Sequence, residues 1–222
     1  MLKATTVSFL RDLKNNNSKD WFDQNRKVYE AAKSDFVSFV QQVIDEFSKI
    51  DNSIQFLKAK DCIFRINRDI RFSNDKSPYK TNFGAFITKN GKKPMNMAGY
   101  YFHLEPGNSF AGGGVYMPMP PELKKIRMAI DTNYPEFLQI INNKPFASVF
   151  GQLDKDPDCI LTRVPKGYES DNPAAEYLKY KSFTAVVTFD DKELQSKSLL
   201  DKTIKIFEAL KPLNDFLNEA LK

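Results

Sequence analysis

The sequence predicts an α+β fold, a mainly antiparallel sheet flanked by N-terminal, central and C-terminal helices, and three observations lead there. Apolar residues recur at helical spacing from Phe9 to about Ser48. Between Lys58 and Tyr116 the period shortens to two, with turn residues between the runs. The helical period then returns and reaches the end of the chain, interrupted by two short apolar runs. Helices that bracket and interrupt one set of strands, without alternating with them one for one, belong to α+β architecture.

In chain order, Phe9, Leu10 and Leu13 give a short amphipathic helix, broken by Asn15 to Asn17, and Ser18 stands where an N-cap is needed. From Asp20 to about Ser48 the residues Trp21, Phe22, Val28, Tyr29, Ala32, Phe36, Phe39, Val40, Val43, Ile44 and Phe47 predict one long core-facing helix. Next, Cys62, Phe64, Ile66, Ile70 and Phe72 share one parity, while Arg65, Asn67, Asp69 and Arg71 share the other, the pattern of a half-buried strand. Ser73 to Pro78 is turn chemistry, and Tyr79 to Thr88 returns as a strand, so the pair reads as a hairpin or near-hairpin. A strand over Met97 to Glu105 sets Tyr101, His103 and Glu105 against Tyr100, Phe102 and Leu104. Another runs from Phe110 to Tyr116, where Gly112 to Gly114 signals a bulge or a close approach.

Beyond Pro118, Leu123, Ile126, Ile130, Phe137, Leu138 and Ile141 are helical, with Pro135 ending one helix or starting the next. Ile160 to Val164 and Phe183 to Phe189 read as strands, separated by a short helix capped by Asn172 and opened by Pro173. Asp191 to Leu221 is helical, capped by Asp190 and Asp191 and kinked or divided by Pro212. With 222 residues, no repeat and no linker, residues 1–222 are expected to form a single domain.

Composition excludes several classes. No run approaches the roughly 18 apolar residues of a membrane helix, and the N-terminus has no signal-peptide pattern, so a cytoplasmic protein without a membrane partner is expected. Cys62 and Cys159 lie far apart in apolar runs and are expected to be buried reduced thiols. One histidine, His103, argues against an all-protein zinc site, and no metal is expected. Gly112 to Gly114 has neither dinucleotide nor P-loop spacing, so no cofactor is assigned.

The net charge of +5 is local. Ten of the 33 basic residues but three of the 28 acidic ones lie between Lys58 and Lys93. On a two-residue period, Arg65, Asn67, Asp69 and Arg71 emerge on one face, about 6 to 7 Å apart. Arginine donors match phosphate or carboxylate, the amide adds neutral donors, and an interleaved aspartate can orient an arginine. Asp75, Lys76, Ser77, Tyr79 and Lys80 continue the surface through the turn into the return strand. Ligand-binding residues are therefore expected at Arg65, Asn67, Arg71, Lys76, Tyr79 and Lys80, with Arg68, Asp75 and Trp21 as structural support. Arg68 breaks the alternation, which requires a bulge or a buried carboxylate partner.

In order along the chain, WFDQNRKVYE, FRINRDIRFSNDKSPYKTNFG, YYFHLEPGNSFAGGGVYMP and VPKGYESDNP resemble the bacterial and fungal domain-of-unknown-function family DUF2461. The resemblance spans nearly the whole chain. It implies a shared fold and one shared surface, including Trp21, Arg65, Asn67, Arg68, Asp69, Arg71, Asp75, Lys80 and His103, and it brings no activity with it.

His103 and Asp69 are the candidate acid or base residues, His103 because its unperturbed pKa lies near 6.5 and Glu105 shares its face. Lys166 and Tyr168, in a Pro-Lys-Gly-Tyr turn, are candidate caps. Three function classes stay open. The first is a binder of an anionic small molecule (a phosphorylated metabolite, nucleotide or carboxylate), acting as an enzyme or not. The second is a nucleic-acid module with Phe72, Tyr79 and Tyr101 as a stacking platform. The third is a structural or partner-docking protein whose arginines are spent on internal ion pairs.

Overall fold

The structure is a computed structural model that describes residues 1–71, 74–92 and 96–222. Helix α1 spans Ala4–Asn15 and buries Val7, Phe9, Leu10 and Leu13. Ser18 then caps α2, Lys19–Gln24, its hydroxyl accepting from the Trp21 N–H at 3.3 Å. Helix α3 follows as Arg26–Phe47. The one long helix expected from Asp20 is therefore two. At Asn25 the backbone leaves helical geometry (φ −102°, ψ 15°) while its side-chain amide donates to the Trp21 carbonyl, the local competition to which asparagine is prone. The break rotates the apolar stripe, so Val28 faces solvent whereas Phe36, Phe39, Val40, Val43, Ile44 and Phe47 are fully buried.

The expected strand from Lys58 is also corrected. Ala59–Cys62 forms one helical turn, α4, and the chain beyond it is extended but, among the described residues, forms isolated bridges at Ile63 with Ala85 and at Asn67 with Tyr79 and no continuous strand. Cys62 and Ile66 are buried, while Phe64 and Ile70 are 36% and 42% exposed, so the alternation does not map onto one apolar face. Phe72 and Ser73, which that reading also used, lie outside the described residues.

Four strands, β1 (Phe83–Ile87), β2 (Gly99–Leu104), β3 (Ser109–Val115) and β4 (Phe183–Phe189), form one antiparallel sheet in the order β1-β2-β3-β4. With the helices this is the α+β class. The alternation expected for β2 holds, with Tyr100, Phe102 and Leu104 buried and Tyr101 and His103 partly open. The glycines of β3 mark close approach. A Cβ on Gly112 would fall 2.1 Å from the Ala185 carbonyl oxygen, and one on Gly114 would fall 2.0 Å from that of Phe183.

Downstream, α5 (Pro120–Thr132), α6 (Tyr134–Asn142, with Pro135 in its first turn) and α7 (Lys144–Phe150) form the central helices. The expected strand Ile160 to Val164 reduces to a single bridge between Ile160 and Tyr180 after the 3-10 turn Pro157–Cys159. Asn172 accepts from the Ala174 N–H in an Asx turn, so α8 begins later than expected, as Ala175–Leu178. Asp190 and Glu193 make a capping box for the short α9, Asp191–Leu194, and not for the final helix. Helix α10, Leu199–Ala220, runs through Pro212 undivided; the division falls before Leu199 instead.

The chain groups into two compact units, Met1–Lys93 with Tyr101–Ala111 and Thr188–Lys205, and Pro94–Tyr100 with Gly112–Val187 and Ile206–Lys222. In the first, Phe36 and Phe39 of α3 pack on Phe83 and Phe102, at 5.4 Å and 4.9 Å between ring centroids. In the second, Tyr100 packs on Phe207, and Asn218 both donates to and accepts from the backbone of Ala98. Both cysteines are free and buried. Among the described residues no helix is long and apolar enough to cross a membrane.

The glycine packing gives a direct test. Gly112→Ala should destabilise the protein by about 3 kcal/mol, because a neighbouring backbone cannot yield. Gly107→Ala, at a turn with open space and φ +77°, should cost about 1 kcal/mol. Denaturant midpoints at unchanged m-value check both.

Candidate functional site

All parts of the candidate site lie in the first unit. Its frame is the pairing of residues 63–68 with residues 78–85. The Phe64 N–H donates to the Gly84 carbonyl, whereas the Lys80 N–H donates to the Ile66 carbonyl and the Arg68 N–H to that of Pro78. One residue on the first side, Arg65, thus stands opposite three, Thr81, Asn82 and Phe83. That is a bulge, and its effect is to swing Thr81 and Asn82 towards β2. The Thr81 hydroxyl donates to Glu105 at 2.8 Å, and the Asn82 amide approaches His103 Nδ1 at 3.5 Å.

Tyr79 anchors this arrangement. Its ring is buried and stacked on Phe22 with centroids 4.0 Å apart. The Asn17 side chain accepts from the Tyr79 N–H (3.1 Å) and donates to its carbonyl (2.9 Å), so both backbone groups are satisfied by one amide. Tyr79, expected to face a ligand, has its ring in the core. Trp21 is half-buried and stacks on Phe9.

The charges sort into spent and unspent. Asp69 accepts from Arg71 Nε at 2.9 Å and from Nη2 at 2.7 Å, and this pairing holds the Asp69 carboxyl well below the usual range. Asp69 is thereby a partner for Arg71. Lys76 Nζ donates to the Ile70 carbonyl. Arg68 is 25% exposed, pairs with Asp75 at 3.1 Å and donates to the Tyr79 carbonyl. Asp75 also accepts from the Ser77 N–H, and the Ser77 hydrogen bonds, with Arg68 nearby, lower its pKa.

Two cations differ. Among the described residues neither Arg65 nor Lys80 forms an ion pair. The Lys80 ammonium sits 5.4 Å from the Phe64 ring centroid, half-buried. Burial lowers its pKa first, and the positive charges of Arg65 and Arg68 lower it further. Asn67 is exposed beside them.

Tyr101 and His103 of β2 and Glu105 just after it are linked. The Tyr101 hydroxyl lies 3.1 Å from His103 Nδ1, and His103 Nε2 lies 3.4 Å from Glu105. Phe110 stacks on the imidazole, 4.7 Å away and nearly parallel. Gly84 admits the Tyr101 hydroxyl, which a Cβ there would meet at 2.6 Å. Burial pushes Tyr101 up to about 12. Burial also lowers His103, with Glu105 opposing it. For Glu105, burial acts upwards, but hydrogen bonds from Thr81, Asn108 and His103 bring it below its ordinary value.

The structure therefore brings Arg65, Lys80, Phe64, Tyr101, His103 and Glu105 to one region. It places Arg71, Asp69 and Lys76 in contacts of their own. Phe64, Thr81, Asn82 and Asn17 went unassigned in the sequence; Phe64 read as core, the break in alternation at Arg68 signals a bulge without placing it opposite Thr81 and Asn82, and nothing in the sequence marks Asn17 as the partner of Tyr79. Gly167, at φ +99°, turns the chain between Pro165 and Tyr168, and Tyr168 lies near Arg127 and Asp131 in the second unit. No group of three or more His, Cys, Asp or Glu side chains suited to a metal occurs among the described residues.

The fold and this face define an α+β protein with a basic edge beside a partly buried histidine. The chain belongs to the conserved hypothetical protein family DUF2461, whose model matches residues 5–216. Neither a curated protein nor a solved structure matches it.

The histidine supplies a pH test with a defined sign. His103 has a folded-state pKa below the ordinary 6.5, so the unfolded chain binds the proton more readily. Its contribution to stability is complete above that value and falls as pH drops below it. The imidazole resonance, assignable at once because the chain has one histidine, should titrate below 6.5, and wild type should lose stability relative to His103→Gln over that range.

Proposed function

We propose that the surface centred on Lys80 binds an anionic small molecule: a phosphorylated metabolite, a nucleotide or a carboxylate. The observation that carries this reading is a half-buried ammonium next to two guanidinium groups with no carboxylate of its own. Like charges held together raise the energy of the site, and a bound anion removes that cost. Lys80 and Arg65 are the primary ligand contacts. Arg68, braced by Asp75 and the Tyr79 carbonyl, adds fixed positive charge behind them, and the Asn67 amide supplies neutral donors.

The wider basic face assigned from the sequence narrows accordingly. Arg71 is neutralised by Asp69, and Lys76 is held by a backbone carbonyl. A stacking track for nucleic acid draws less support, because the Tyr79 ring is packed on Phe22. Two buried free cysteines fit a reducing compartment, and on that ground we place the protein in the cytoplasm.

Thermal-shift titration with inorganic phosphate, nucleoside monophosphates and citrate tests the reading. At least one anion should raise Tm in wild type, with the affinity about tenfold weaker in Arg65→Ala and lost in Lys80→Ala. Arg71→Ala should bind within about twofold of wild type. Equal binding by Lys80→Ala and wild type would remove the site.

A further inference from the structure

Lys80 is followed directly by the two residues that touch the histidine network, since Thr81 bonds Glu105 and Asn82 approaches His103. The Phe64 ring, which carries Lys80 on its face, meets Tyr101 edge to face at 6.5 Å. The anion site proposed above and the histidine network are thus neighbours through both backbone and side chain.

The hydrogen-bond donors in the network fix its direction. Glu105 already accepts from the Thr81 hydroxyl and the Asn108 amide, and as a carboxylate it can only accept. His103 Nε2 must therefore carry the proton that faces it. A neutral imidazole then has its lone pair on Nδ1, where the Tyr101 hydroxyl donates at 3.1 Å. The order Glu105, His103, Tyr101 has the logic of a catalytic triad: a carboxylate orients an imidazole, and the imidazole accepts from a hydroxyl. His103 and Glu105 keep 14% and 19% of their side-chain surface, and Tyr101 is also partly open.

We propose that Tyr101, His103 and Glu105 form a proton relay serving the anion site, with Tyr101 as the catalytic residue and a hydroxyl-bearing organic phosphate as the substrate class. The proposal rests on the anion reading of Lys80. In the step, the substrate O–H bond breaks and its proton passes to Tyr101 Oη. The Tyr101 O–H bond breaks in concert, and that proton passes to His103 Nδ1. An imidazolium held by the Glu105 carboxylate and a substrate alkoxide facing the Lys80 ammonium result, with no change in redox state and no other reactant. The reverse transfer restores the relay. His103 and Glu105 act through Tyr101 and are positioning residues.

The charged and titratable groups around His103 are few. Among the described residues Tyr101 lies on its own strand and Glu105 just past the strand's end, β3 contributes the neutral Phe110, and the covering segment contributes the neutral Thr81 and Asn82 after Lys80. The test is nitrogen NMR of the single histidine in the full chain, with glycerol 3-phosphate and inorganic phosphate as probes. The relay requires the Nε2–H tautomer. It also requires that the His103 midpoint rise by about half a pH unit in Tyr101→Phe, which removes a bond to the neutral form, and fall in Glu105→Gln. Glycerol 3-phosphate should move the His103 resonances in wild type and leave them in place in Lys80→Ala. An Nδ1–H tautomer, or glycerol 3-phosphate that binds with His103 silent, overturns the relay while leaving the anion site standing. If neither phosphate binds wild type, the relay and its organic-phosphate substrate class fall, and the anion site falls with them only if nucleoside monophosphates and citrate also fail to bind.

Discussion

The grip of Asn17 on Tyr79 is the contact on which the candidate site depends. One side-chain amide satisfies both backbone polar groups of Tyr79, as a neighbouring strand would, and the Tyr79 ring is held on Phe22. Each such hydrogen bond contributes on the order of 1 kcal/mol. Their structural effect is larger, because Tyr79 sits between Asn67, its bridge partner, and Lys80. With Tyr79 fixed, its carbonyl is available to Arg68, Lys80 is carried onto Phe64, and the extra residues of the bulge have only β2 to face. An irregular stretch thereby acquires a defined shape without belonging to a sheet.

Electrostatics then divides the basic segment into two kinds of cation. Exposed pairs such as Asp69 with Arg71 stabilise little, since water screens both partners. They matter by removing Arg71 from competition. Arg68 is different: it is mostly buried, bound to Asp75 and a carbonyl, and its Nε is buried without an acceptor among the described residues. Such a guanidinium is fixed in place and its charge is felt by its neighbours. Among the described residues Lys80 and Arg65 remain as cations without an ion-pair partner, beside a sheet face where burial disfavours the charged form of His103.

How much of this could be read from the sequence depends on whether each contact is local. The alternation in β2 was legible because pleating dictates it, and it correctly paired Tyr101, His103 and Glu105 on one face. Ser18 as N-cap and Phe183–Phe189 as a strand were legible for the same reason: a cap or a strand is a property of adjacent residues. The break at Asn25 was not, since an asparagine is compatible with a helix until its amide turns back on Trp21. The alternation from Cys62 to Ile70 misled because the bulge, set by pairing with residues far along the chain, interrupts the ladder between Phe64 and Ile66. Tyr79 looked like a surface aromatic because its partners, Asn17 and Phe22, lie more than fifty residues away. Charge density singles out the segment from Lys58 to Lys93, but only tertiary pairing separates Lys80 from Lys76 or Arg65 from Arg71.

The central claim, that Lys80 and Arg65 are cations left open for an anion, is tested most directly by a crystal of the wild-type protein grown in phosphate. The account predicts a phosphate with oxygens about 2.8 Å from Lys80 Nζ and from the Arg65 guanidinium, with Arg68 still paired to Asp75. A Lys80 ammonium bound to a carboxylate of its own chain, with no phosphate beside it, would contradict the account.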